Sequence, residues 1–371
     1  MEAEYGRRVM KIFIAATRAN VGKTTASLGL LSILGKKGGR YGYMKPVGQH
    51  SMCIDGVYVD SDAVLFKEKF SLHDNIADMN PITIPQGFTE AYIQRPSPMA
   101  LRKKILDAFK RVSRDKDVLL VEGTGHAGVG SVIDFSNAHI AEILRLKAII
   151  IAPGGIGNPI DDIMLNKALF DAKGVEVIGV ILNKVKEENL ERISDISRRG
   201  LHRLGVALLG VVPHCDALSY PCVAQIAEAF KSEIVSNAPR LDNVVENMVI
   251  GALPPHEALA YFRRGTLLIT PGNRDDIVLA AISSCGFLNR TKKSIAGIVL
   301  TCGFTPHRNI LRLLRETDIP SIMVREDTFT AATRIDKLIV KTRPNDDKKI
   351  NELFNLFGKH VDSSKIIKAI S

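Results

Sequence analysis

The chain has 371 residues, with 50 lysines and arginines against 40 aspartates and glutamates, 9 histidines, 5 cysteines and no tryptophan. That length exceeds what one hydrophobic core usually fills, so two globular domains are expected, and the 46% hydrophobic and 24% charged content excludes a mainly disordered chain. The formal charge of +10 comes from scattered basic residues, which speaks against nucleic acid as the partner, and no apolar run approaches the roughly 18 residues of a membrane-crossing helix.

The first apolar stretch, near Met10, is about five residues long, too short for a secretion signal. Cys53, Cys215, Cys222, Cys285 and Cys302 show no CxxC pair and no metal-ligand spacing, as reduced thiols would. A cytoplasmic address is expected. Lys11 to Ala15 reads as a strand, and the segment from Val21 as a helix ending in glycines. Gly42 to Pro46 reads as a second strand stopped by proline. Asp117 to Glu122 reads as a strand whose Val118 to Val121 are continuously apolar, as a strand covered on both faces must be. Ala148 to Ala152 and Val177 to Leu182 repeat that pattern, with a helix over Pro159 to Ala172 between them, and Val206 to Val212 closes the series. Strands alternating with helices predict an α/β fold with a doubly wound, mainly parallel sheet. Around Asn237 to Asn247 the alternation weakens. A second, smaller α/β pattern then begins, with strands at Thr266–Thr270, Ile295–Thr301 and Ser321–Val324 and helices at Ile277–Cys285, Asn309–Arg315 and from Asp327. The predicted division is a nucleotide-binding domain over 9–235, a smaller α/β domain over 245–345, and a helical tail over 346–371 packed on the body.

The strongest functional signal is the segment Ala16 to Thr25, ATRANVGKTT, between the first strand and the first helix. Successive backbone N–H groups of such a loop point at phosphate oxygens, aided by the helix dipole. Lys23 adds a charge for the β- and γ-phosphates, and the Thr24 hydroxyl suits Mg²⁺. Asn20, Val21, Gly22, Lys23, Thr24 and Thr25 are thus the expected nucleotide-binding residues, although Thr17 stands where GxxxxGK[ST] has its first glycine. A lysine at a tight turn is the competing reading, and it leaves GKTT in this setting unexplained. Asp62, in DSDA, and Glu122, at a strand end, complete a metal site with Thr24; DSD before a helix also suits capping. Lys45, at the end of the second strand, can neutralise a transferring phosphoryl group, which makes Lys23 and Lys45 the catalytic candidates. Asn183 ends a later strand, where an amide can read a purine edge; Lys186 breaks the guanine pattern NKxD and leaves adenine favoured. His214-Cys215-Asp216 reads as loop packing, and Gly154 to Gly157 as a tight turn near the crevice.

The ATRANVGKT loop, KPVGQ at 45–49, DSDA at 60–63, NP at 80–81, VEGTG at 121–125, ILNK at 181–184 and LGVVP at 209–213 occur in the order seen in dethiobiotin synthetase, which the first domain resembles over about 210 residues. The resemblance implies that Lys23 and Thr24 bind ATP and Mg²⁺ and that Lys45 contacts the substrate carbamate and γ-phosphate. It further implies that Asp62 and Glu122 hold the metal, that Asn183 touches adenine and that Pro213 lines the base pocket. Where the synthetase loop reads GTDTEVGKT, this chain has Ala16, Arg18, Ala19 and Asn20. Gln49-His50 replaces the serine after KPV, and EGAGG becomes EGTGH with His126. Biotin synthesis is therefore not expected. Arg18 falls where related dimeric ATPases carry a lysine that reaches the partner's nucleotide, against the plainer reading of an exposed loop arginine. The second domain resembles the DRTGG domain through PGNRDD at 271–276, LTCG at 300–303 and EDTFTAA at 326–332. Asn273-Arg274 stands at its Asp-Arg signature, where simple helix capping is favoured. In this order the two domains resemble the N-terminal regulatory half of long bacterial phosphotransacetylases, and acetyl transfer by this stretch alone is not expected.

Two functions follow. One is an ATP·Mg²⁺-binding sensor with weak or no ATPase activity that signals through the DRTGG-like domain to an acyltransferase or other metabolic enzyme. The other is an ATP-dependent carboxylate–amine or cyclo-ligase working through an acyl phosphate. A homodimer is expected, and a protein without a nucleotide site is disfavoured by GKTT.

Overall fold

A computed structural model describes residues 9–35, 39–49, 51–54, 56–236, 238–286 and 295–370. Residues 1–8, His50, Asn237 and the side chain of Cys285 lie outside the described residues. The chain falls into two units, one running through Cys215 and resuming at Thr342, the other spanning Asp216–Lys341.

The first unit is built on six strands: β1 (Met10–Ala16), β2 (Tyr41–Met44), β3 (Val118–Glu122), β4 (Lys147–Pro153), β5 (Val177–Val185) and β6 (Leu208–Pro213). All pair in parallel, in the order β6-β5-β4-β1-β3-β2. Every residue of β3 is buried, as are Phe13 to Ala16 of β1 and Ala148 to Ala152 of β4. These uninterrupted apolar runs are what a sheet covered on both faces demands. The crossovers are α1 (Lys23–Leu34), α2 (Ser61–Lys69), α3 (Pro98–Val112), α4 (Asn137–Ile143), α5 (Asn158–Ala172) and α6 (Leu190–Arg203). From β1 the chain runs out to β2, returns to β3, and then passes over β1 to β4. The winding reverses at β1, and the crevice outside the carboxyl ends of β1, β3 and β4 is where such sheets bind ligands. A hairpin of Ser51–Ile54 and Val57–Asp60 precedes α2. The sequence reading contains no strand there, because Met52, Val57 and Tyr58 are exposed and the alternation is short.

The second unit carries α7 (Val223–Phe230), β7 (Glu233–Ser236), β8 (Asn247–Ile250), β9 (Thr266–Pro271), α8 (Asp275–Gly286), β10 (Gly297–Thr301), α9 (Arg308–Arg315), β11 (Ser321–Met323) and α10 (Thr328–Asp336). Its sheet has the order β7-β11-β10-β9-β8, with β7 antiparallel to β11 and the remaining pairs parallel. Each face has its own core, Leu268, Ile277, Ile298 and Leu314 on one side and Val223, Leu267, Val299 and Ala331 on the other. The predicted first-domain limit at 235 is corrected here. Residues 216–235, including α7 and most of β7, belong to the second unit because Val223 and Ile226 fill its core and β7 extends its sheet. Both edge strands, β7 and β8, escape sequence reading, since each is short and only half-buried.

The chain then returns to the first unit through α11 (Asp347–His360) and α12 (Ser363–Ile370). Phe357 of α11 is fully buried against α1, where a Cβ placed on Gly29 would lie 2.2 Å from its ring. Glycine lets the two helices approach until an aromatic ring lies over backbone. Lys69 pairs with Asp347 at 2.7 Å, and the Lys147 ammonium donates to the Ala369 carbonyl at 2.7 Å. Among the described residues no helix is long and apolar enough to cross a membrane.

Candidate functional site

The turn between β1 and α1 opens with Thr17, whose N–H donates to the Ile151 carbonyl of β4 at 3.0 Å. Asn20 and Gly22 take left-handed backbone, with φ of +62° and +84°. At Gly22 any side chain would also collide, because a Cβ there lies 2.5 Å from the Asn183 amide nitrogen. Three side chains grip the loop by its carbonyl oxygens. Asn166 Nδ2 donates to Thr17 at 3.3 Å, Lys184 Nζ to Asn20 at 3.1 Å, and Asn183 Nδ2 to Val21 at 2.9 Å. In a trans peptide the C=O and the following N–H point in opposite directions. Anchoring these carbonyls therefore turns the N–H groups of Arg18, Val21 and Gly22 away from the anchoring side chains. Beyond the loop, the N–H groups of Gly22, Lys23, Thr24 and Thr25 donate to no described residue; the first helical bond is Ala26 N–H to Gly22 C=O at 2.8 Å.

The side chains beside this row of donors are charged. Lys23 forms no ion pair or hydrogen bond with a described residue. Burial pushes its ammonium below the ordinary lysine value; Glu122 opposes that, Lys45 adds to it, and Asp62 and Asp60 oppose it. Thr24 Oγ1 lies 2.9 Å from Glu122 Oε1 and 3.1 Å from Asp62 Oδ2. One hydroxyl proton serves only one of these acceptors at a time. Glu122 is fully buried, and burial, then the Asp62 charge, raise its carboxyl above the usual glutamate value, with Lys45 and Lys23 opposing. Its other oxygen accepts from Tyr43 OH at 3.1 Å, and burial followed by the Glu122 charge holds that phenol well above the ordinary tyrosine value.

Lys45 is committed within the protein. Its ammonium donates to Asp60 Oδ1 at 2.9 Å and also to Asp62 Oδ2. Burial would lower it, but Asp62, Glu122 and Asp60 together hold it above the usual lysine value. Asp60 caps α2, accepting from Asp62 N–H at 3.0 Å, and takes Gln49 N–H on its second oxygen at 2.9 Å. The two aspartates of DSDA thus divide the work: Asp60 supplies the cap, and Asp62 turns its carboxylate toward Thr24. Asn80 supports this corner, donating to the Lys45 carbonyl at 2.7 Å and accepting Asp60 N–H at 2.9 Å.

The hydrogen bonds therefore bring Thr24, Lys45, Asp62 and Glu122 into one cluster beside Lys23, as the sequence pattern anticipates for the carboxyl ends of β1, β2 and β3. The oxygen donors of Thr24, Asp62 and Glu122 are the hard set that a magnesium ion takes, and two mutually repelling buried carboxylates gain from a divalent cation. Asn183 is buried, and its amide nitrogen is spent on the loop. Pro213 sits opposite Val185 in the neighbouring strand, and among the described residues no hydrogen bond ties it to the cluster. Arg18 is exposed on the loop, as is His126 beyond β3. In the second unit Arg274 is occupied by Asp276, at 2.8 Å and 3.0 Å, and by the Gly251 carbonyl at 3.2 Å. Sequence reasoning passed over Tyr43, Asp60 and Asn166. Tyr43 and Asp60 stand within two residues of named site positions, whereas nothing in the local pattern marks Asn166.

A glycine–lysine loop entering the first helix of a parallel, doubly wound sheet defines a protein of the P-loop class. Residues 10–221 match the family described as an AAA domain, and the chain belongs to that family; residues 225–338 match the DRTGG domain. The resemblance to a dethiobiotin synthetase-like P-loop domain followed by a DRTGG domain is borne out. The chain is 27% identical over 365 residues to a phosphate acetyltransferase of Nitratidesulfovibrio vulgaris, covering 96% of this chain and 51% of that protein. It is 28% identical over 368 residues to the phosphate acetyltransferase of Synechocystis sp., covering 96% and 51%. The chain thus spans about half the length of these curated relatives. Among solved structures it is similar to the CBS and DRTGG domains of the regulatory region of Clostridium perfringens pyrophosphatase, solved with diadenosine tetraphosphate. That likeness has a TM-score of 0.27 and 22% identity over 35% of this chain and 53% of the other.

Proposed function

We propose that the first unit binds ATP with Mg²⁺ at the turn between β1 and α1, and that the protein is a nucleotide-sensing regulator with weak or no ATPase activity. The observation that carries this reading is the row of undonated N–H groups from Gly22 to Thr25 beside a lysine ammonium that forms no ion pair or hydrogen bond with a described residue. Such a row supplies the donors, and Lys23 the charge, that a polyphosphate tail needs. Thr24, Asp62 and Glu122 would hold the metal, which when bound supplies charge neutralisation for the phosphates. Lys23 binds the phosphates, and the loop carbonyl anchors keep the N–H groups turned toward them. Asn183 serves the loop first and the base second. Sensing is favoured over catalysis because Lys45 is neutralised by Asp60 and Asp62, and because the synthetase-like substrate contacts are replaced at Arg18, Asn20 and Gln49. The relatives are phosphate acetyltransferases about twice this length, which supports an acyltransferase as the partner that the DRTGG-like unit informs, with a cytoplasmic homodimer as the working form.

The ligase reading retains one observation in its favour, a buried lysine beside metal-suited carboxylates. Titration calorimetry with ATP and Mg²⁺ tests the binding claim: wild-type protein binds and Lys23→Ala does not. Equal binding by both would sink the site. ADP release above background with carboxylates and ammonia would move the assignment from sensor to ligase.

A further inference from the structure

Asn166 sits in the interior of α5 on the stripe that carries Ile163 and Phe170, both fully buried. A position three residues after one core side chain and four before the next is where an amphipathic helix places an apolar residue. Asparagine is also a poorer helix former than leucine or alanine, and a buried amide is tolerated only when satisfied. Here it is satisfied three times. Its Nδ2 donates to the Thr17 carbonyl at 3.3 Å and to the Asp162 carbonyl at 2.8 Å, while its Oδ1 accepts Ala127 N–H at 2.8 Å.

The two outer partners belong to different functional segments. Thr17 opens the phosphate-facing turn, and its buried hydroxyl has no partner among the described residues, so side-chain anchorage at this point comes from Asn166. Ala127 lies in the segment 123–136, which follows Glu122 directly. That segment is held at defined points: Asn137 Nδ2 donates to the carbonyls of Thr124 at 2.7 Å and His126 at 2.6 Å, Thr124 Oγ1 donates to the Val47 carbonyl at 2.6 Å, and Gly123 N–H donates to the Ile14 carbonyl of β1 at 3.0 Å. Gly125, Gly130 and Asp134 adopt left-handed backbone, with φ of +65°, +97° and +63°, which sets its course tightly. Asn166 is the side chain that joins this segment, at Ala127, to the start of the phosphate turn, at Thr17.

We infer that Asn166 is a positioning residue that couples occupancy of the β1–α1 turn to the 123–136 segment, so that a nucleotide bound at the first is registered at the second. The inference rests on the nucleotide-binding reading above. Asn166→Asp keeps the acceptor for Ala127 and loses the donor to Thr17; Asn166→Leu loses both and keeps the size.

The test is amide hydrogen exchange on the full chain, with and without ATP and Mg²⁺. In wild-type protein, exchange slows at 18–25 and at 124–129. In Asn166→Asp it slows at 18–25 alone, with ATP affinity lowered by no more than about tenfold, the scale of one hydrogen bond. Asn166→Leu shows the same loss of response, and its 124–129 amides exchange faster even without nucleotide. If the buried aspartate prevents folding, the leucine variant decides alone. Uniformly faster exchange over the whole unit, with the response at 124–129 intact, would reduce Asn166 to a packing residue and overturn the coupling. A wild-type response confined to 18–25 would overturn the coupling while leaving nucleotide binding in place. No response at either segment would overturn nucleotide binding and, with it, the coupling.

Discussion

Replacing Gly22 with alanine probes the loop at the point where conformation and packing meet. The residue sits at φ +84°, where an L side chain costs about 1–2 kcal/mol. A methyl group would also stand 2.5 Å from Asn183 Nδ2 and force that amide from the Val21 carbonyl, a hydrogen bond worth about 1 kcal/mol. Together these destabilise the β1–α1 loop by about 2–3 kcal/mol, so on the proposed reading affinity for ATP with Mg²⁺ should fall by about 30- to 150-fold. Calorimetry measures that fall, and unchanged far-ultraviolet dichroism shows that the sheet is intact. In an Asn183→Ala background the collision is removed, and Gly22→Ala should then cost only the backbone share. Wild-type affinity in Gly22→Ala, or an equal cost in both backgrounds, would refute the packing argument.

Lys45→Met leaves Asp60 and Asp62 without their buried cation, so the melting temperature should fall and then recover with added Mg²⁺ by more than wild-type gains; equal gains would argue against a metal at Asp62. Phe357→Ala should cost about 3–5 kcal/mol in urea unfolding of the first unit, because the ring is fully buried over Gly29; a cost below about 1 kcal/mol would mean that α11 is not part of that core. Tyr92 donates to Asp134 at 2.8 Å, and burial, with that bond adding to it, pushes its phenol up to about 12. The folded state then keeps a proton that the unfolded chain loses near 10, so this stabilisation is complete below about pH 10 and disappears as pH rises to about 12. Tyr92→Phe should flatten that alkaline decline in thermal unfolding curves, and an identical decline would count against the Tyr92–Asp134 pair.

The parallel sheet was legible because its strands are continuous apolar runs bounded by glycine, proline or a carboxylate, a pattern set by burial on both faces. Strands β7 and β8 were not, since an edge strand half in solvent shows neither continuity nor clean alternation. The same holds for the hairpin before α2. At the site, Lys23, Thr24, Asp62 and Glu122 were legible through their place at strand ends and in the glycine–lysine turn. Asn166 was not. Its partners are main-chain atoms 149 and 39 residues away, and one asparagine in a helix leaves no periodic trace. Asn183 shows the limit of reading a residue type without its surroundings. A purine-reading amide and a loop-anchoring amide look alike in sequence, and the 2.9 Å bond to Val21 distinguishes what this side chain is doing.

The two lysines of the crevice divide along the same line as the two functional readings. Lys45 and Lys23 share the same three carboxylate neighbours, yet Lys45 bonds directly to two of them while Lys23 bonds to none. An ammonium held by two buried carboxylates gains little by leaving them for a phosphoryl group, because it must break charge-assisted bonds to do so. Lys23 has no such bonds to break, and an arriving phosphate would supply the direct partner that the carboxylates around it do not. On the proposed reading, the crevice takes up an anion readily and acts on it reluctantly. That asymmetry suits a protein whose output is a change in the neighbouring 123–136 segment better than one whose output is a chemical product. Loosening the hold on Lys45 while keeping its charge, as Asp60→Asn would do by removing the anionic partner 2.9 Å away and leaving Asp62, should raise ADP release relative to ATP affinity. A variant that binds ATP as before and hydrolyses no faster would show that the Lys45–Asp60 pairing is not what restrains turnover.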